Sequence, residues 1–187
     1  MPVIPYQPQE IDEPAEIVTA IRNRRGGTLL NLDRMLLHSP PFARGWNSFL
    51  GAVRNELTVP ARLRELVICT VAVLNGAEYE YIQHAPEFLR AGGTQQQLTA
   101  LLTLKSRPQE DPELPDADLP FIRLCCEMTR TVSVAPATMQ AARKGLENDR
   151  QLNELVGVIA TYNMVSRYLV ALGVGVEPEQ DAPEETP

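Results

Sequence analysis

Two histidines, three cysteines and one tryptophan in 187 residues leave little material for metal cages, disulfide frameworks or aromatic platforms. Three cysteines cannot all pair within one chain. Cys69, Cys125 and Cys126 stand inside apolar stretches, where reduced, buried thiols belong. Basic residues are in deficit too: 17 Lys and Arg face 24 Asp and Glu, a net charge of -7. A polyanion partner needs a basic face, so no nucleic-acid partner is expected. Five of the surplus acids (Glu177, Glu179, Asp181, Glu184 and Glu185) crowd a tail that has no base. No uninterrupted apolar run reaches the roughly 18 to 20 residues of a membrane span. The longest apolar-rich stretch, Leu155 to Val176, is broken by Asn163, Ser166 and Arg167. The opening MPVIPYQPQEIDEP is acidic and proline-rich, without the basic start and apolar block of a secretory leader. These absences predict a soluble, cytoplasmic protein with no membrane partner.

Strand signals are also scarce, and helical periodicity fills the space they leave. Helices are expected over 14–24, 32–37, 41–54, 60–74, 77–90, 94–104, 119–131, 136–147 and 150–172. Gly26-Gly27, Asn75-Gly76, Gly92-Gly93 and Gly173 act as stops. Thr58 is read as an N-cap with Pro60 in the first turn, and Thr94 as a second N-cap. Between 106 and 120, four prolines and five acids mark a surface connector. The fold class is all-α. The last helix is apolar nearly all round, which calls either for a subunit contact or for a central place in a monomeric bundle.

One helical hairpin holds the chemistry-bearing residues. Glu80 and His84 are four apart and share a helix face. Glu65 lies on the preceding helix, roughly 16 Å before the turn at Gly76, and His84 lies roughly 12 Å beyond it at the α-helical rise. An antiparallel hairpin therefore brings two carboxyl groups and an imidazole towards one level. Such a group moves protons if burial raises one carboxyl towards neutrality. The same spacing also describes an ordinary solvated Glu–His pair of small energetic value.

These residues resemble the carboxymuconolactone decarboxylase and alkylhydroperoxidase D superfamily. Its redox members carry a Glu, eleven residues, Cys-x-x-Cys, three residues and a His. Here the frame reads Glu65, eleven residues, Ala77-Glu78-Tyr79-Glu80, three residues, His84. RLRELVI, LNGAEYE and HAPEFLRAGG look like the decarboxylase-like branch, and the likeness runs from about Leu29 to Val174. It implies an alkylhydroperoxidase D-like multi-helix bundle assembled as homotrimers or hexamers. The chain is expected to divide into an arm and first helix (1–28), a family-like helical domain (29–176, with the acidic connector 106–120) and, from its composition, a disordered acidic tail (177–187).

Both motif thiols are absent, so CxxC peroxidase chemistry, which needs a thiolate and a resolving Cys, is not expected. What remains is an acid–base set. Glu65 and His84 match the family's proton-relay positions, and Glu80 replaces the second thiol by another proton-transfer group. The reading that follows is an enzyme acting on a small organic substrate by decarboxylation, isomerisation or lactone chemistry, with no cofactor and no metal. Tyr79, Tyr162 and Asn163 are expected to line the substrate cavity, with a helix–helix hydrogen bond at a subunit contact as the equal alternative for the last two. Arg62 is the cation considered for an anionic intermediate, though Arg62 and Arg64 read equally well as a solvated face. Three further readings stand beside this one: a peroxidase using the non-motif cysteines, a metal site built from Glu65, Glu80 and His84, and a non-catalytic relative.

Overall fold

The computed structural model describes residues 1–105 and 113–177. Most of the acidic tail and the first part of the connector lie outside them. Among the described residues there are nine α-helices, one 3-10 turn (Thr103–Lys105) and no strand, which bears out the all-α reading.

Contacts divide the chain into two compact units. One is Met1–Ser48 with the chain from Gly173 onward; the other is Phe49–Leu172. In the first, helix α1 (Ala15–Arg25) ends at Gly26, whose φ of 77° is the left-handed region that glycine enters without a Cβ penalty. The short α2 (Asn31–Leu36) follows. Asp33, buried in α2, is held by Arg24 and Arg25. The N-terminal arm is bonded along its length: Arg22 donates to the carbonyls of Gln9 and Ile11, and Arg34 to that of Gln7. His38, read from the sequence as a helix-end residue, bonds Pro5 O at 2.7 Å through Nε2.

Helix α3 (Pro40–Asn55) leads into the second unit, which holds α4 (Ala61–Asn75), α5 (Glu78–Arg90), α6 (Gln95–Leu102), α7 (Leu119–Arg130), α8 (Pro136–Lys144) and α9 (Asp149–Leu172). Here α4 is the axis. It packs against α5, α6, α7 and α9, and residues from Leu63 to Val73 are buried almost without interruption. Burying that many branched and aliphatic side chains contributes about 1.5–3 kcal/mol for each large one before chain entropy is opposed.

The α4–α5 turn is tight. Gly76, at φ 66°, closes α4, and its N–H and that of Ala77 satisfy the last carbonyls. Thr94 caps α6 as expected, accepting from Gln97 N while the Gln97 side chain returns to Thr94 N. Thr58 does not cap α4. Its N–H and hydroxyl both donate to Glu154 Oε2, at 2.6 and 2.8 Å, so a carboxylate 96 residues away outcompetes the local cap. Helix α8 stops three residues short of expectation because Asn148 instead accepts from Gln151 N and caps α9.

Within a single chain α4 is buried all round and α9 on one side only. By length and mean hydropathy (1.4), α9 is apolar enough to cross a membrane, yet half of that window is buried against the rest of the fold. Leu155, Val158, Ile159, Tyr162, Val165 and Leu169 face inward, whereas Gly157, Ala160, Met164, Val170 and Ala171 are exposed.

Candidate active site

The hairpin aligns its carboxyl and imidazole groups through two periodicities. On α4, Glu65 falls on the face turned towards α5, and on α5 Glu80 and His84 are one turn apart. Glu65 Oε2 and His84 Nδ1 are 2.7 Å apart, with both residues buried. Glu80 is 2% exposed and is reached by the Ser166 hydroxyl of α9, at 3.0 Å from Oε1 and 3.1 Å from Oε2. The Tyr162 ring meets the His84 ring edge-on, centroids 5.0 Å apart. Arg64 Nε lies 3.3 Å from Glu65 Oε1.

These surroundings drive the three groups apart in acidity. Burial strongly raises Glu80 above the ordinary carboxyl range, and the Ser166 bond offsets only part of that. Burial also acts to raise Glu65, but the His84 bond and the charges of His84, Arg64 and Arg54 outweigh it and hold Glu65 below the ordinary range. For His84 burial wins: it lowers the imidazole below its usual value despite the bond and charge of Glu65, with Arg54 adding to the lowering. The shifts favour the charged form of Glu65, the neutral form of His84 and the protonated form of Glu80. An ionised Glu65 beside Nδ1 fixes the tautomer, because the carboxylate accepts from Nδ1–H and leaves Nε2 with its lone pair.

The other side chains expected at the site have the following partners. Arg62 donates to both oxygens of Asp118, at 3.0 and 2.6 Å, and lies over the Phe88 ring; its guanidinium ties α4 to the segment before α7. Asn163 is a cross-link. Its Oδ1 accepts from Asn75 and Arg167, and its Nδ2 donates to Thr129 and to the Ile159 carbonyl. Tyr79 is buried at 5% exposure, and Tyr162 packs on His84.

Sequence reasoning passed over Ser166 and Arg54. The signal for Ser166 was present, a small hydroxyl in the apolar run of α9. Arg54 left none, since it looks like any cation near a helix end. An open recess of about 330 Å3 is lined by Asn75, Ser166, Arg167, Val170 and Ala171, so the hydroxyl bonded to Glu80 also borders it. A second recess of about 260 Å3 is lined in part by Ala77, Glu78 and Tyr81.

Neither thiol chemistry nor metal binding gains support from the geometry. Cys69 and Cys125 are buried, and burial raises both thiols, Cys69 further under the charge of Glu65 and, when ionised, of Glu80. Among the described residues, no group of three or more His, Cys, Asp or Glu side chains is arranged to hold a metal ion.

An all-helical bundle with a Glu–His pair spanning a tight helical hairpin defines the class. Residues 40–117 match the carboxymuconolactone decarboxylase family model. A peroxidase-related protein of Silicibacter sp. TM1040 superposes with a TM-score of 0.69 at 16% identity, over 95% of this chain and 91% of its own. A protein of Ralstonia eutropha JMP134, described as an alkylhydroperoxidase AhpD core and peroxidase-related, gives 0.74 at 15% identity, over 89% and 87%. No curated protein sequence matches the chain. The segment 40–117, which spans the α4–α5 hairpin, is thus similar to the carboxymuconolactone decarboxylase family, and the chain has an alkylhydroperoxidase D-like fold.

Proposed function

We propose that this protein is a cofactor-independent acid–base enzyme acting on a small organic substrate by decarboxylation, isomerisation or lactone chemistry. The observation that carries the reading is the divergence within one buried cluster. Glu65, 2.7 Å from His84, is pushed towards its ionised form, while Glu80, one turn away on α5, is pushed towards its protonated form. Environments that push neighbouring titratable groups in opposite directions assign acid and base roles.

In this scheme His84 Nε2 takes a proton from carbon or oxygen of the substrate, and Glu65 stabilises the imidazolium that forms. Glu80 delivers a proton to the developing enolate, or to the carbon that loses carbon dioxide, and Ser166 steadies the carboxylate left behind. A thiol peroxidase, as the description of the structural relatives suggests for them, lacks support here because Ala77 and Glu80 occupy the two motif positions.

The reading also extends to self-association, as a homotrimer or hexamer, with the exposed Gly157, Ala160, Met164 and Ala171 of α9 as the subunit contact. Light scattering of wild type and Met164→Glu checks this, and two identical monomers would count against it.

With only two histidines in the chain, ring-nitrogen NMR isolates His84. The free protein is expected to show the Nδ1–H tautomer at neutral pH, and Glu65→Gln is expected to lower the His84 pKa further by removing the anion that raises it. An Nε2–H tautomer, or a His84 pKa unmoved by Glu65→Gln, refutes the base assignment.

A further inference from the structure

Glu80 is the most buried acid of the hairpin, and an enclosed carboxyl that gives up a proton must be able to regain one. Among the described residues both hydrogen bonds of its carboxyl go to one side chain, Ser166 of α9, at 3.0 Å from Oε1 and 3.1 Å from Oε2. Ser166 is fully buried as well, yet it is one of the residues that line the open recess of about 330 Å3 between the end of α4 and α9. A single side chain therefore stands between the carboxyl and that recess, and it carries a hydroxyl. The rest of the lining suits water. Asn75 and Arg167 bring amide and guanidinium groups to it, and both are bonded to Asn163, which holds them in place. The lining includes neither Glu65 nor His84, so a path through it does not pass the base. The second recess touches Glu78 and Tyr81, but none of its lining residues bonds the Glu80 carboxyl.

We propose that Ser166 is a proton relay: its hydroxyl carries protons between water in the α4–α9 recess and the carboxyl of Glu80. The inference rests on the acid–base reading and adds the route by which its acid is reloaded. In the reloading step Ser166 Oγ–H gives its proton to a carboxylate oxygen of Glu80, while a hydronium ion in the recess supplies a new proton to Oγ. One O–H bond breaks and one forms at the serine, the hydronium becomes water, and the carboxylate becomes a carboxylic acid. The two transfers are concerted, since a serine left as an alkoxide beside Glu80 would be an unpaired buried anion. Ser166 acts through Glu80 and touches no substrate.

Infrared spectroscopy follows the buried acid itself. A protonated carboxyl has a C=O stretch apart from those of carboxylates and amides, and its loss in Glu80→Gln assigns the band. On rapid mixing of the folded protein into D2O the band shifts as the acid proton is replaced, and the rate of that shift measures the relay. Ser166→Thr and Ser166→Val have nearly the same shape and differ in the hydroxyl, so the overpacking they introduce is common to both. Wild type and Ser166→Thr are expected to exchange at similar rates. Ser166→Val is expected to exchange at least about tenfold more slowly, its remaining exchange passing through local opening. Val170→Trp, which fills the recess and leaves Ser166 in place, is expected to slow exchange as well.

The relay is overturned if Ser166→Val exchanges within about twofold of Ser166→Thr. A wild-type rate in Val170→Trp overturns it too, since the protons then come from elsewhere than the recess. Should the threonine and valine variants not fold, Ser166→Ala takes their place, and a wild-type rate in it overturns the relay. The band judges the acid–base reading separately. If Glu80→Gln removes no protonated-carboxyl band near neutral pH, Glu80 is not the acid and both proposals fall. A Glu80 band whose exchange ignores residue 166 sinks the relay alone and leaves the acid assignment standing.

Discussion

Replacing Glu80 by Gln removes an ionisation while keeping a shape. The amide oxygen still accepts from the Ser166 hydroxyl, and the amide N–H donates to the same oxygen, so both contacts near 3.0 Å have a counterpart. What disappears is a proton equilibrium. Burial holds the native carboxyl well above its ordinary value, so across the interval between the two the folded chain keeps a proton that the unfolded chain has released. The stabilisation linked to that proton is complete below the ordinary carboxyl range. It is lost with rising pH at about 1.4 kcal/mol per unit, until the native group itself ionises. A glutamine has no such slope. The variant is therefore expected to match wild type in acid and to exceed it by an increment that grows about 1.4 kcal/mol per pH unit. Urea unfolding of both proteins from about pH 4.5 to 8, with the difference in unfolding free energy plotted against pH, reads this directly. Contributions common to both chains, Glu65 and His84 included, largely cancel in the difference. A flat difference refutes the argument. It would mean that Ser166 and the positive N-terminal end of α5 keep Glu80 ionised despite its burial.

Three other outcomes follow from particular contacts. Arg62→Ala leaves Asp118 buried with only Gln97 as a side-chain partner, and is expected to lower unfolding free energy by about 1–3 kcal/mol in the same assay; an unchanged value would restore Arg62 as a free cation. In the native protein Cys69 and Cys125 resist a thiol reagent because burial raises them, so mass spectrometry is expected to find modification at Cys126 alone; rapid labelling of Cys69 would reopen a thiol mechanism. Val132 is 83% exposed with a φ of 65°, a conformation a branched side chain occupies at a cost, so Val132→Asn is expected to raise stability by about 1 kcal/mol, and a loss would contradict the strain.

Much of this fold could be read before any coordinates because its signals are local. Glycines that close helices and the Thr94 capping box act over three or four residues, and the sequence displays such patterns openly. Misplaced features have distant causes. Thr58 looks like an N-cap until Glu154 arrives from α9, and Arg62 looks solvated until Asp118 meets it. The site divides in the same way. Glu65, Glu80 and His84 follow from helical spacing across one hairpin, whereas Ser166 and Arg54 come from α9 and α3, where only tertiary packing says what they face. Within one chain α4 is the more enclosed of two apolar helices, because it packs against more elements than α9 does.

The carboxyl at position 80 does more than replace a thiol; when ionised it works against thiol chemistry. A nucleophilic cysteine needs a cation or a helix N-terminus to favour its thiolate. Cys69 lies close enough to feel Glu65 and Glu80, and each carboxyl, when ionised, pushes its thiol further from ionisation. Any thiolate formed there would be an additional buried anion beside Glu65, whose own charge is already sustained by His84, Arg64 and Arg54. An arrangement in which, as proposed, one carboxyl donates a proton and the other partners an imidazole disfavours electron transfer through the neighbouring sulfur. On the proposed reading, proton chemistry and thiol redox chemistry are competing uses of one buried space, and Ala77 and Glu80 favour the first.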